Sequence, residues 1–168
     1  MTDPIDDSTL DETVALHVVH RADIDLDRAR DAFADPAWLG QPADVAPGHG
    51  WRRINADLEL PVRDGSGPAV RKAAVVEIGS PRETDAGLSV PIAWSSASFT
   101  PLFPVFAGTL AIKRSSLVLT GQYAPPFGRM GMLIDQTLLH FVATRSAKAL
   151  LATVARRCRK GSTAIAEG

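Results

Sequence analysis

One cysteine, Cys158, is all the chain has. A lone thiol excludes an intrachain disulfide framework, a Cys-x-x-Cys redox pair and a cysteine-rich zinc site, and it reads as a structural bystander. The motifs that announce common chemistries are also missing: there is no Gly-x-Ser-x-Gly elbow, no P-loop, no Gly-x-Gly-x-x-Gly fingerprint and no His-Glu-x-x-His. Neither a cofactor nor a metal is therefore expected. GHGWRR at 48–53 has two glycines and two arginines without the remaining spacing, so it reads as a loop leading into a strand.

Charge is absent from residues 87–112, a run of 26 positions, which is long enough to cross a bilayer as a helix. Pro91, Pro101 and Pro104, six Ser or Thr residues, and the alternation of Leu88, Val90, Ile92 and Trp94 argue for soluble sheet instead. No integral membrane segment is expected. Acidic residues are absent from 136–160, where six bases stand, whereas residues 1–35 carry ten acids and three bases. Arg156, Arg157, Arg159 and Lys160 suit the negative end of a helix dipole. A nucleic-acid surface would need an accompanying zinc finger or aromatic-interleaved basic motif, and none is present. The first fourteen residues hold five acids and no basic stretch ahead of an apolar run, so no secretory or transit peptide is expected and the cytoplasm is the expected location.

What is present is enough for one core: 168 residues, 45% of them apolar and 22% charged. Residues 1–11 read as a polar lead-in, 12–160 as a single domain and 161–168 as a loose tail. TVALHVVHRADI at 13–24 is a strand. Asp25 or Asp27 then caps a short helix through Phe33, and Asp35-Pro36-Ala37-Trp38-Leu39 starts another helical turn. The Gly/Pro cluster at 40–50 is a loop. Strands follow at about 51–62, 69–79, 87–97, 105–114 and 116–123, with DGSG at 64–67, SPRETDAG at 80–87 and Lys113-Arg114-Ser115 as the reversals. Strands at this spacing without intervening helices imply an antiparallel meander. A long helix then starts near 127–130 and runs to about Lys160, regular over 133–158. Its apolar stripe is Leu139, Val142, Ala143, Ala147, Leu150 and Val154, with Arg145, Lys148 and Arg156 off it. Gly121, Pro125, Pro126, Gly128 and Gly131 break the last strand and turn the chain into that helix.

A strand, two short helices, a meander and one long C-terminal helix resemble the helix-grip fold of the SRPBCC superfamily. That superfamily includes START lipid-transfer domains and polyketide cyclase/dehydrase-like proteins. The resemblance spans roughly residues 12–158 and is nearest to small actinobacterial members, through DPAWL at 35–39, VRKAAVVEIGSPR at 70–82, VPIAW at 90–94 and GQYAPPFGRMGMLIDQTLLHFVA at 121–143. It implies an α+β helix-grip fold, in which a curved antiparallel sheet of about six strands wraps around the long helix and a deep apolar pocket lies between them. The implied partner is a small hydrophobic or amphipathic molecule: a lipid, an isoprenoid or a polyketide-like ring. On the sheet side the implied lining is Trp94, Phe106, Leu110, Leu119 and Tyr123. On the helix side it is Leu139, Val142, Ala143, Ser146, Ala147 and Leu150, of which Ala143, Ser146 and Ala147 are small enough to leave space.

Candidate chemistry is sparse. His17 and His20 point to opposite faces of a strand and so make no metal site. His140 lies on the long helix near the expected pocket mouth, and as a general acid or base it would need a carboxylate partner, for which Asp135 is badly placed. Tyr123 either wedges the start of the helix or lines the cavity. Tyr123 and His140 are the candidates for catalysis if the protein is an enzyme of cyclase, aromatase or dehydratase type, a point these residues leave open. Arg71, Lys72 and Arg145 read as solvated, with binding of a ligand carboxylate as the alternative. The uncharged stretch from Ser95 to Gly108, with Phe99, Phe103 and Phe106, forms either a pocket lid or a sticky surface serving a homodimer or lipid delivery.

Overall fold

The computed structural model describes residues 13–43, 50–60, 70–96, 105–124 and 136–161. Among them, eight strands and two α-helices follow one another: β1 (Val14–Arg21), α1 (Leu26–Ala34), a 3₁₀ turn (Pro36–Leu39), β2 (Gln41–Pro42), β3 (Trp51–Leu60), β4 (Val70–Gly79), β5 (Arg82–Thr84), β6 (Gly87–Ser96), β7 (Val105–Lys113), β8 (Ser116–Ala124) and α2 (Gln136–Cys158). The six long strands are those expected from the sequence. The other two are short additions within segments read there as loop and turn. Gln41–Pro42 pairs with β3 at the sheet's edge, where a proline costs no ladder bond, and Arg82–Thr84 folds back on β6 as a small hairpin. The expected turn at 64–67, the lead-in at 1–11 and the start of the long helix before 136 lie outside the described residues.

All pairings are antiparallel, in the order β1-β8-β7-β6-β4-β3-β2, with β5 on β6. Alternation decides which face each strand buries. Leu16 and Val18 of β1, Ile54 and Ala56 of β3, Ala74, Val76 and Ile78 of β4, and Leu88, Val90, Ile92 and Trp94 of β6 all turn inward, as do Phe106, Leu110 and Ile112 of β7 and Leu117, Leu119 and Tyr123 of β8. The helix α2 answers with Ala143, Ser146, Ala147, Leu150, Leu151, Val154, Ala155 and Cys158. Its 23 residues span about 35 Å at 1.5 Å per residue, enough to cross the sheet. Arg145, Lys148 and Arg156 are exposed, off the buried stripe as expected. Among the described residues, α2 comes closest to β1 and β8 on one limb of the sheet, to β3 on the other, and to α1. Backbone approach to both limbs rather than to the middle strands is what a curved sheet wrapped round a helix produces.

One end of this grip is fastened. Asp25 caps α1, its carboxylate accepting from the amides of Asp27 and Arg28, and its own amide donates to the Cys158 carbonyl at the last turn of α2. Ile24 bridges to Arg159, and the Arg28 guanidinium donates to the Arg159 carbonyl at 3.1 Å. Arg30 ties α1 to β5 through Glu83 at 2.8 Å. The 3₁₀ turn adds Trp38, whose indole N–H donates to the Ala32 carbonyl at 2.7 Å and whose ring meets Phe33 edge-on. No helix among the described residues is long and apolar enough to cross a membrane. The uncharged run 87–112 supplies β6 and β7, joined by residues outside the described set.

Candidate functional site

At the end of the sheet opposite α1, three neighbouring strands place an aromatic residue in one cross-strand row. Trp94 on β6 pairs with Phe106 on β7, which pairs with Tyr123 on β8. Trp94 and Phe106 stack with ring centroids 4.0 Å apart and planes inclined by 18°. Phe106 reaches that position because Gly108 and Gly121 face each other two residues farther along. A Cβ at either glycine would stand 2.7 Å from the tip of the Phe106 ring and 2.3 Å from a backbone carbonyl oxygen of the adjoining strand. The two glycines thus form a floor on which the ring lies. Gly121, read from sequence as the point where the last strand bends, has this packing role as well.

Tyr123 is 2% exposed, and its hydroxyl lies 3.2 Å from Nδ1 of His140, in the first turns of α2. The rings are 6.2 Å apart at a tilt of 38°. Burial pushes the phenol pKa above its ordinary value, because the ionised form would lose solvation. The two residues named as candidates for catalysis are therefore in contact, the imidazole supplying a polar partner for the buried hydroxyl. Tyr123 is buried in the core and touches α2 at His140. The imidazole itself is exposed. Asp135, considered as its partner from sequence, lies outside the described residues.

Three polar atoms in this interior have no hydrogen-bond partner among the described residues: Trp94 Nε1, Ser146 Oγ and Thr144 Oγ1. Trp94 and Ser146 are each 3% exposed, one on the sheet and one on the helix. An unmade hydrogen bond on a buried donor or acceptor costs about 1–3 kcal/mol, so such atoms in one core call for an explanation.

Other candidates are placed as follows. Phe106, Leu110, Leu119, Ala143, Ala147 and Leu150 belong to the core cluster together with Trp94 and Tyr123, while Val142 is half-buried. Phe106 is not part of a connecting lid. It sits inside β7 with its ring fully buried, so the sticky-surface reading loses that residue. Phe99 and Phe103 lie outside the described residues, as do the side chains of Leu139, Arg71 and Lys72. Arg145 is exposed and lies over the Phe141 ring, 4.9 Å from its centroid, which is the solvated reading. His17 and His20 alternate across β1. His17 bonds to Thr120 at 3.1 Å on the outer face. Among the described residues no three His, Cys, Asp or Glu side chains are close enough to share a metal ion. Cys158 is buried, and desolvation lifts its thiol pKa to about 11.

No protein-family model and no curated protein matches the sequence. Solved structures do match its shape. The Zhui aromatase/cyclase from Streptomyces sp. R1128 superposes with a TM-score of 0.54 over 86% of this chain and 92% of that one, at 14% identity. The chain has the helix-grip fold. A second helix-grip neighbour is the di-domain ARO/CYC BexL from the BE-7585A biosynthetic pathway, with a TM-score of 0.53 and 11% identity over 89% of this chain. This chain spans about half, 51%, of that larger protein. At these identities the likeness establishes the fold alone. The helix-grip arrangement also accounts for the site: the aromatic row ends the concave face where α2 begins, and the fastened end lies at α1.

The sequence reading missed the pairing of Tyr123 with His140, the glycine floor and Thr144. One signal for the floor was available. Gly108 stands five residues before Lys113 and Gly121 five after Ser116, the pair that closes the β7–β8 hairpin, so the tight turn alone sets them opposite each other. The Tyr123–His140 contact crosses from sheet to helix and had no such signal.

Proposed function

We propose that the protein binds a small hydrophobic or amphipathic ring-bearing molecule between α2 and the middle strands of the sheet. The observation that carries this reading is the pair of buried polar atoms, Trp94 Nε1 on the sheet and Ser146 Oγ on the helix, without hydrogen-bond partners among the described residues. A ligand with an oxygen acceptor for the indole N–H and a polar group for the serine offsets both penalties, and its rings meet the Trp94–Phe106 stack. Of the expected classes, polyketide-like rings and ring-bearing isoprenoids fit that description, whereas an acyclic lipid does not. The test is titration of purified protein with naphthoquinone and anthraquinone probes, followed by tryptophan fluorescence and native mass spectrometry. Saturable binding that weakens about tenfold in Trp94→Phe is expected, from the loss of one hydrogen bond in a dry site. Absence of saturable binding across the panel would overturn it.

A second reading is favoured by the Tyr123–His140 contact: acid–base chemistry of the aromatase/cyclase kind named for the neighbouring structures. With Nδ1–H donating to the phenol oxygen, Nε2 is free to take a proton from an acidic C–H next to a ligand carbonyl. The carbanion attacks a second carbonyl carbon within the ligand. The phenol, kept neutral by its burial, gives its proton to the oxygen that develops there, and Nδ1 returns a proton to the phenol. Loss of water from the new ring carbons then completes a dehydrative closure. Cyclisation of a synthetic di-β-ketone that is lost in both Tyr123→Phe and His140→Ala, with ligand binding kept, is the expected result. Activity persisting in both variants removes this pair.

A further inference from the structure

Two hydroxyls of α2, on Thr144 and Ser146, flank the smallest residues that the helix turns toward the sheet. Successive helical residues are rotated by about 100°, so the order round α2 runs Ser146, Ala143, Ala147, Thr144, with Arg145 on the opposite side. Ala143 and Ala147 are at most 1% exposed, whereas Arg145 lies in solvent. Neither hydroxyl takes the bond that a helix offers it. Thr153 donates to the Ala149 carbonyl four residues back, at 3.0 Å, but the buried Thr144 Oγ1 and Ser146 Oγ have no partner among the described residues, the His140 and Val142 carbonyls included. The level of this polar-small-small-polar arc against the sheet follows from the two ends of α2. It starts at Tyr123 and finishes where Asp25 meets the Cys158 carbonyl and Ile24 meets the Arg114 carbonyl in the β7–β8 turn, so α2 runs antiparallel to β8. From His140 to Thr144 the helix rises about 6 Å, and from Tyr123 to Gly121 the strand covers about 7 Å. Thr144 therefore stands level with Gly121, where β8 sends up no side chain and the Phe106 ring, stacked with Trp94, lies on the glycines.

We propose that the ligand lies crosswise beneath residues 143–147 of α2 and carries an oxygen at each end, one bound by Thr144 Oγ1 and the other by Trp94 Nε1 and Ser146 Oγ. The inference rests on the binding reading above and narrows its ligand. Thr144 is on the flank of α2 that His140 turns to β8, and Ser146 is on the flank away from it, as is Trp94 on β6, two strands from β8. Between the flanks the helix offers only two methyl groups, which leave a flat ring free to rest on the aromatic pair. A helix is about 10 Å across, so the occupant is an elongated planar molecule of about two fused rings. A molecule polar at one end alone leaves one of the two hydroxyls without a partner.

Calorimetric titration with naphthalene bearing an acetyl group at each far end, and with its single-acetyl analogue, tests this. The wild-type chain should bind the two-oxygen probe about tenfold more tightly, the effect of one added hydrogen bond. Thr144→Val keeps the side chain's shape and removes its hydroxyl, so the affinity ratio should fall to about one, since a single oxygen is still served at Trp94 and Ser146. Thr144→Ser should restore the ratio. Infrared difference spectra should show both carbonyl stretches lowered in the wild-type complex and one of them released in Thr144→Val, a change that a merely structural role would not produce. Equal wild-type affinity for the two probes, or a ratio that Thr144→Val leaves unchanged, overturns the crosswise arrangement while the binding reading stands. If neither these probes nor the quinones bind, the binding reading falls and this inference with it. Should Thr144→Val misfold by circular dichroism, Thr144→Ala decides the question by the same ratio.

Discussion

Tyr123 is the chain's single tyrosine, and this makes the candidate site directly observable. Absorbance of the phenolate near the tyrosine band should report one titration, displaced above the ordinary value because the buried ring resists ionisation. Replacing His140 with Ala removes the phenol's partner and opens the site, so the midpoint should move; a curve unchanged by His140→Ala would mean the 3.2 Å contact is not populated in solution. Trp94 and Ser146 make the complementary case. Ser146→Ala removes a buried hydroxyl that has no partner among the described residues and is expected to stabilise the free protein by about 1 kcal/mol while weakening ligand binding, an opposition visible by thermal unfolding with and without the probe. If Ser146→Ala destabilises the free protein instead, the hydroxyl has a partner in solution and the argument from it fails. Cys158 behaves in the opposite sense, as an inert group. Its burial predicts negligible reaction with a disulfide reagent at neutral pH until the chain is unfolded.

Among the elements, the β7–β8 hairpin is where a small change should have the largest effect. Gly121→Ala or Gly108→Ala places a methyl 2.3 Å from a backbone oxygen and 2.7 Å from the Phe106 ring, and neither the ladder nor the stacked ring can give way cheaply. A loss of about 1–3 kcal/mol is expected from overpacking, with a weakened near-ultraviolet signal from the Trp94–Phe106 stack. An alanine variant as stable as wild type would show that the ring does not lie on the glycines. Capping of α1 is a milder case. Asp25→Ala deletes a carboxylate that accepts from two amides, and chemical denaturation should show a loss of about 1 kcal/mol. Since the same residue's amide also holds the Cys158 carbonyl, the backbone clasp between α1 and α2 survives the substitution.

Over the whole molecule, both shifted acids act in the same direction with pH. Tyr123 and Cys158 have folded pKa values raised by burial, so the native state keeps protons that the unfolded chain releases. The stability that Cys158 contributes is complete below the unfolded thiol value of 9.0 and is lost as pH rises toward the folded value of about 11, while that of Tyr123 is complete below its unfolded value of 10.0 and lost above it. The melting temperature should therefore fall across that window, and Cys158→Ala should flatten the fall. A melting temperature unchanged from pH 9 to pH 11 contradicts this.

How much of this could be read beforehand depends on the range of the interactions involved. Alternation is local, so Leu88, Val90, Ile92 and Trp94 announced their strand and their inward face, and Asp25 and Pro36 announced the two helical starts. The hydrophobic stripe on α2 came from the same kind of spacing, and together these determined the order of elements and hence the helix-grip fold. The two-residue strand at Gln41–Pro42 and the small hairpin at Arg82–Thr84 escaped because each is defined by its partner strand and not by its own pattern. The site escaped for a stronger version of that reason. Whether Tyr123 reaches His140, whether Phe106 lies across two glycines, and whether Trp94 Nε1 finds an acceptor all depend on how α2 crosses the sheet. Local periodicity selects elements and faces; contacts between residues far apart in the chain exist only once the fold has closed.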